Sequence, residues 1–163
     1  MGAVSIAGLL EYDLWATSQA LGPTAMLSNE QFVREFSGDL SSVRQQSVHL
    51  VSVSNRYRAR IMGEPVPDVQ SDSFSCPADV AAYAQDVAER MREMAALLTA
   101  DRLAEEIRHE TKRGVFVQTV EQTLFHVVNH GTYHRGQIAC LLKLHGVEPV
   151  DTDMVIWWKI QSG

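Results

Sequence analysis

Three of the six histidines in this chain fall in one stretch, "HVVNHGTYHRGQ" (residues 126–137), each four residues from the next. An α-helix turns about 100° per residue, so a step of four advances only about 40°. On a helix, His126, His130 and His134 therefore form one stripe. Leu124, Val127, Ile138, Leu141 and Leu144 fall in the same half of the wheel, which turns the stripe toward a protein interior. Gln137 falls nearly beneath His130, and Arg135 points away, toward solvent or a partner. Buried imidazoles are costly without partners, and a cation supplies one: neutral imidazole is a ligand for Zn²⁺, Ni²⁺, Co²⁺ or Fe²⁺. A single histidine on an apolar face is ordinarily a hydrogen-bonded core residue. Three in register tilt the reading toward metal.

Two histidines at i and i+4 can share one ion, as in HExxH helices. That motif's glutamate is missing here, so a zincin-type protease is not supported. A catalytic metal takes three protein ligands and keeps one position open, and one helix rarely supplies all three. His49, in "SVHLVSVSNRYRARI", lies beside a stripe of Leu50, Val53 and Tyr57. A site of His49 plus a pair from the 126–137 stretch is physically reasonable. His109 and His145 fall in a loop-like stretch and at a helix end, outside this set.

Four amphipathic segments position these residues. The first spans about residues 4 to 21, with Ile6, Leu10, Leu14 and Leu21 on one face and Pro23 just beyond. The second spans about 39 to 62, with capping residues in "SGDLSS" and a stop at Gly63 and Pro65. Residues 63–76 form a connecting loop. The third starts at Pro77, with Ser75 as cap, and runs to about 100. The two alternating halves of "RLAEEIRHETKRGVFVQ" flank "TKRG", which suits a short hairpin. The fourth, about 119 to 145, carries the histidine stripe and ends at Gly146. The expected fold is all-α: one domain over 1–163, an antiparallel four-helix bundle with a long connection and a short hairpin before the last long helix.

The net charge of −6 argues against nucleic acid as a partner. No segment is long and apolar enough for a membrane span. The opening "MGAVSIAGLLEYDLW" has no basic leading region, and Glu11 and Asp13 interrupt it, so it reads as a helix rather than a signal peptide. Its Met-Gly start is a poor acylation match because Ile6 stands where Ser or Thr is needed. Cys76 and Cys140 form no metal or redox spacing, and a reducing cytoplasm without a disulfide is the expectation.

"EYDLWA", "SVHLVSVSNRYRARIMG" and "LFHVVNHGTYHRGQIACLLKLHGVEP" occur in that order. In this order and spacing the chain resembles the DinB-like (DNA-damage-inducible) family of metal-binding four-helix bundles, and "NHGTYHRGQ" followed by "LLKLHG" is the most specific part. The resemblance implies one ligand from the second helix and an H-x3-H pair from the fourth: His49, His130 and His134. His126 becomes a neighbour one turn away that backs the ligands without binding the ion. It also implies a homodimer and a small-molecule substrate, and neither polymerase nor DNA-binding machinery. Characterised relatives include thiol S-transferases using bacillithiol or related low-molecular-weight thiols, and a mycothiol-dependent isomerase. An open-site divalent ion lowers the pKa of a bound thiol or water. The leading expectation is therefore a metal-dependent thiol S-transferase. The alternatives are a metal-dependent hydrolase and a non-catalytic metal-binding or structural bundle.

Other polar residues carry weaker expectations. Asp13 shares the first helix's inner face with Ile6, Leu10 and Thr17, so it either reaches the residues around the metal or stands at a helix edge in solvent. Gln137 hydrogen-bonds a ligand histidine or the neighbouring helix. Asn129 and Tyr133 flank the triad and line its mouth. Arg56 and Arg60, two and three turns beyond His49, meet an anionic substrate or remain solvated. Tyr12, Trp15, Trp157 and Trp158 suit core or dimer contacts better than a cofactor box.

Overall fold

The computed structural model describes residues 5–111 and 114–162. The expected hairpin turn at Lys112 and Arg113 and the Met-Gly start lie outside the described residues. Each long helix begins where a side chain satisfies an otherwise orphaned backbone N–H. Ser5 accepts from the Gly8 N–H at the start of α1 (Ile6–Leu21), and Ser42 accepts from the Gln45 N–H at the start of α3 (Val43–Met62). Between them lies α2 (Asn29–Val33), opened by a reciprocal capping box of Ser28 and Gln31. The S-x-x-Q spacing of that box is legible in the sequence, although no helix was expected there.

Three boundaries differ from the sequence reading. The second long helix starts at Val43 rather than near 39: residues 38–40 form a separate 3-10 turn, and Ser41 at φ 49° breaks the helical path. Its end is as expected. Gly63, at φ 69°, lets Glu64 N–H reach back to the Ala59 carbonyl at 2.8 Å. In α4 (Pro77–Ala95), Cys76 rather than Ser75 occupies the cap position, and the Asp79 carboxylate accepts from the N–H groups of both. That helix stops at Ala95, not 100, because Thr99 caps a separate short helix, α5 (Ala100–Ala104).

The hairpin is present. Strand β1 (Glu106–Thr111) pairs antiparallel with β2 (Gly114–Thr119), with His109 opposite Phe116. His109 was read as part of a loop. It sits instead on a strand, buried and stacked on Phe116. Then come α6 (Val120–Leu144), capped by Thr119, and α7 (Met154–Gln161). The aromatic tail is thereby explained: Trp157 meets the buried Tyr12 edge-on, and the Tyr12 hydroxyl donates to the Thr152 carbonyl at 2.9 Å. Cys76 and Cys140 are free thiols. Among the described residues no helix is long and apolar enough to cross a membrane.

The four long helices form the expected four-helix bundle around Leu10, Leu50, Ile61, Met91, Leu124, Ile138 and Leu141, although not every neighbouring pair is antiparallel. Around it the order is α1, α6, α3, α4, so the first and second long helices face each other across the diagonal. Paired residues give the directions. Gln46 meets His134 while Tyr57 meets His126, so α3 and α6 are antiparallel. Asn55 meets Tyr83, and Glu64 beyond it is held below its ordinary pKa by Arg58 first and, more weakly, by Arg90. Thus α3 and α4 run side by side in one direction, and the connection 63–76 must return along the bundle. The connection needs its length for this.

The helical wheel misplaced Arg135 and did not reveal the partner of Asp13. Arg135 does not face solvent: its side chain is 3% exposed and pairs with Asp13, also 3% exposed. Asp13 does lie on the inner face of α1, but its partner is this guanidinium rather than the histidine stripe. The reason is that α6 is covered on two sides, by α3 and by α1. The side facing away from the histidines is therefore also buried. Burial pushes the Asp13 carboxyl up and Arg135 pulls it back. Thr17, Thr132 and the Tyr12 ring complete the guanidinium's surroundings. Gly131 makes the pair possible, since a Cβ there would sit 2.7 Å from the Arg135 Nη1 and closer still to Asp13.

Candidate metal centre

Helices α3 and α6 cross so that His49 lies against His130 and His134. The three rings each offer a nitrogen, and these atoms all lie within 4.8 Å of one another. His49 Nε2 and His130 Nε2 are 3.3 Å apart. A tetrahedral ion bound at about 2.0–2.1 Å separates its nitrogen ligands by about 3.3–3.4 Å, and the His49–His130 pair already stands at that spacing. Among the described residues no fourth His, Cys, Asp or Glu joins this cluster. The stripe is not in the bundle interior as the wheel suggested. His49 is exposed and the other two are half-buried, because they lie on the rim of the α3–α6 seam. Leu144, placed on the same face by the wheel, is exposed at the helix end.

Gln46, which the sequence reading passed over, orients one ring. It is buried one turn before His49, and its Nε2 donates to the Leu40 carbonyl at 2.9 Å. That bond fixes the amide so that Oε1 accepts from His134 Nδ1–H at 2.8 Å. The proton is thus held on Nδ1, leaving the Nε2 lone pair for an ion. The Q-x-x-H spacing is visible in the sequence, but only the crossing angle of two helices reveals what the glutamine meets.

The other expected residues surround this cluster without joining it. The His126 ring is 5.8 Å from that of His130, is exposed, and packs edge-on against Tyr57. Tyr133 stands edge-on to His134, and its hydroxyl accepts from Gln137 Nε2 at 3.3 Å. Asn129 is exposed beside His130. Asp13 belongs to the buried pair described above. On the open side lies a cavity of about 410 Å³, bordered by His49, His134, Gln45, Ser52, Arg56 and the 69–71 segment.

The sequence from residue 3 to 162 matches the model of the DinB family. The chain belongs to that family. It is 26% identical over 152 residues to Protein DinB of Bacillus subtilis (strain 168), covering 89% of this chain and 88% of that protein. Its fold is similar to the crystal structure of a DinB-like protein from Bacillus cereus ATCC 10987, with TM-score 0.72, 17% identity, and coverage of 88% of this chain and 95% of that one. It is also similar to YfiT from Bacillus subtilis, described as a probable metal-dependent hydrolase with an unusual four-helix bundle topology. That match has TM-score 0.67, 16% identity, and coverage of 90% and 92%.

In this DinB-family chain the imidazoles are prepared for a cation. Burial, then His134 and Arg56, push His49 down to about 4. Burial and the neighbouring His134 and His49 push His130 to about 3. Burial lowers His134 also, with a hydrogen bond involving Gln137 working against it. At neutral pH the rings are uncharged, so an ion has no imidazolium proton to displace. The sign of the pH dependence follows. Below the ordinary imidazole pKa of about 6.5 the unfolded chain takes up protons that the folded one refuses. The metal-free protein should therefore lose stability continuously from pH 6.5 toward 4, and His49→Ala should flatten that slope. Urea unfolding at several pH values measures it.

Gln46 gives a second expected outcome. Gln46→Leu should weaken zinc affinity by about 10–100-fold, the usual cost of losing an outer partner of a ligand histidine. Gln46→Glu, which keeps an acceptor, should retain most of it. Competition against a chelating indicator reads both.

Proposed function

We propose that this protein is a metal-dependent enzyme that transfers a low-molecular-weight thiol to a small electrophile, with His49, His130 and His134 holding the ion. The observation that carries the reading is the three-nitrogen cluster bordering the 410 Å³ cavity, with no fourth protein ligand among the described residues. A structural site is normally closed by a fourth ligand, whereas a catalytic one keeps a position for the reactant. A divalent ion held there would lower the pKa of a thiol or water in the open position. The chain's own part is to present neutral imidazoles, to fix the His134 ring through Gln46, and to hold the substrate in the polar cavity. In the reaction the thiol loses its proton to solvent, an S–C bond forms, and the leaving group departs with the electrons of its bond.

A second reading, hydrolysis, draws on the likeness to YfiT. The test uses zinc-, nickel- and cobalt-loaded protein with a model haloaromatic electrophile and a model ester. Bacillithiol, mycothiol or glutathione is added or withheld. Metal-dependent consumption of electrophile only when thiol is present supports the transferase. Ester cleavage without thiol supports the hydrolase. Stoichiometric metal with neither activity favours a non-catalytic bundle.

A further inference from the structure

Arg56 is the one charged residue, among the described residues, on the wall of the cavity beside the triad; the rest of that lining is serine, glutamine, valine and histidine. It lies seven residues beyond His49, about 10 Å along the helix axis. Its side chain, however, turns back: Nε donates to the Ser52 carbonyl at 3.3 Å. Helical side chains lean toward the helix N-terminus, and here that brings the guanidinium to the level of Ser52, three residues from His49. Its charge is felt at His49 and at His130. Two exposed carboxylates hydrogen-bond residues of this lining: Glu35 accepts from Gln45 and Asp68 from Gln70. No ion pair joins either of them to Arg56. Arg60, one turn on, is engaged differently, lying over the Tyr57 ring at 5.1 Å.

We propose that Arg56 is the anion-recognising residue of this cavity, and that the reactant bound there carries a carboxylate which the guanidinium grips while its reactive end reaches the triad. This rests on the catalytic reading of the site and adds to it a substrate class. A guanidinium offers a planar fork of donors that matches a carboxylate bidentately. With Nε already used, the two terminal nitrogens remain for the ligand. The cavity pairs that fork with a centre about one helical turn away, so a small amino-acid-like acid spans both.

The test titrates zinc-loaded protein calorimetrically with two matched pairs: N-acetylcysteine against N-acetylcysteine amide, and N-acetylalanine against its amide. Inorganic phosphate is a competitor. The acids should bind about tenfold more tightly than the neutral amides, the size of a charge-assisted hydrogen bond. Arg56→Gln should erase that preference without changing affinity for the amides, and should bind zinc at least as tightly because a positive charge has gone. Arg56→Lys should restore part of the preference. An equal affinity for acid and amide, or a preference that survives Arg56→Gln, overturns the proposal. So does phosphate displacing the acids at lower concentration than they themselves need. Failure of the transferase reading is separate. An Arg56-dependent preference in the alanine pair without thiol-dependent turnover keeps the anion site and removes the thiol chemistry. Turnover with no acid preference does the reverse.

Discussion

His49→Ala and His134→Ala each leave a folded protein that no longer retains a stoichiometric divalent ion. The two substitutions test the site from both of its helices. His49 is the sole contribution of α3 to the nitrogen cluster, and without it only an i, i+4 pair on α6 remains. The loss should exceed the roughly 10–100-fold that removal of an outer partner costs. Neither ring is deep in the core, so helix content should be unchanged. Elemental analysis of protein purified without a nickel column, beside circular dichroism, gives both readouts. Full metal content in both variants would remove these histidines from the ligand set. His126→Ala is the matched control: its ring is exposed and packs on Tyr57, so the variant should keep the metal.

Asp13→Ala should destabilise the protein by about 3–5 kcal/mol, because it strands a buried guanidinium without its counter-charge. Against a typical total of about 5–15 kcal/mol this is severe, and for a chain of this size it lowers Tm on the order of 10 °C. Thr17 and Thr132 would still accept hydrogen bonds from Arg135 but cannot balance its charge. The double variant Asp13→Leu, Arg135→Met should recover most of the loss, since a well-packed apolar pair often equals a buried ion pair. Urea unfolding of the three variants decides it. A single variant within about 1 kcal/mol of the parent would contradict the burial of the pair. Metal content in Asp13→Ala should be normal, since Asp13 touches Arg135 rather than the histidines.

Much of this molecule was legible in its sequence for a simple reason. Helix periodicity, caps and stops are set by residues within a turn or two of one another. The four long helices, the Gly63 stop, the alternating halves of the hairpin and the i, i+4 stripe of histidines are all properties of that short range. The nomination of His49 needed more: an imidazole beside the apolar stripe of a second helix, and the argument that one helix does not complete a metal site.

Tertiary structure decided whatever depends on which faces meet. A helical wheel knows one axis and assumes one buried side, but α6 is covered by both α3 and α1. Hence Arg135 became a core residue, Asp13 its partner, and Gly131 the space that admits them. Gln46 shows the same limit from the other direction. Its spacing from His49 is local, but its hold on His134 spans 88 residues of sequence and exists only because α3 and α6 cross there. The side chains able to bind a metal were written along the chain. Which of them share an ion-sized gap, and which charge faces that gap, followed from how the helices pack.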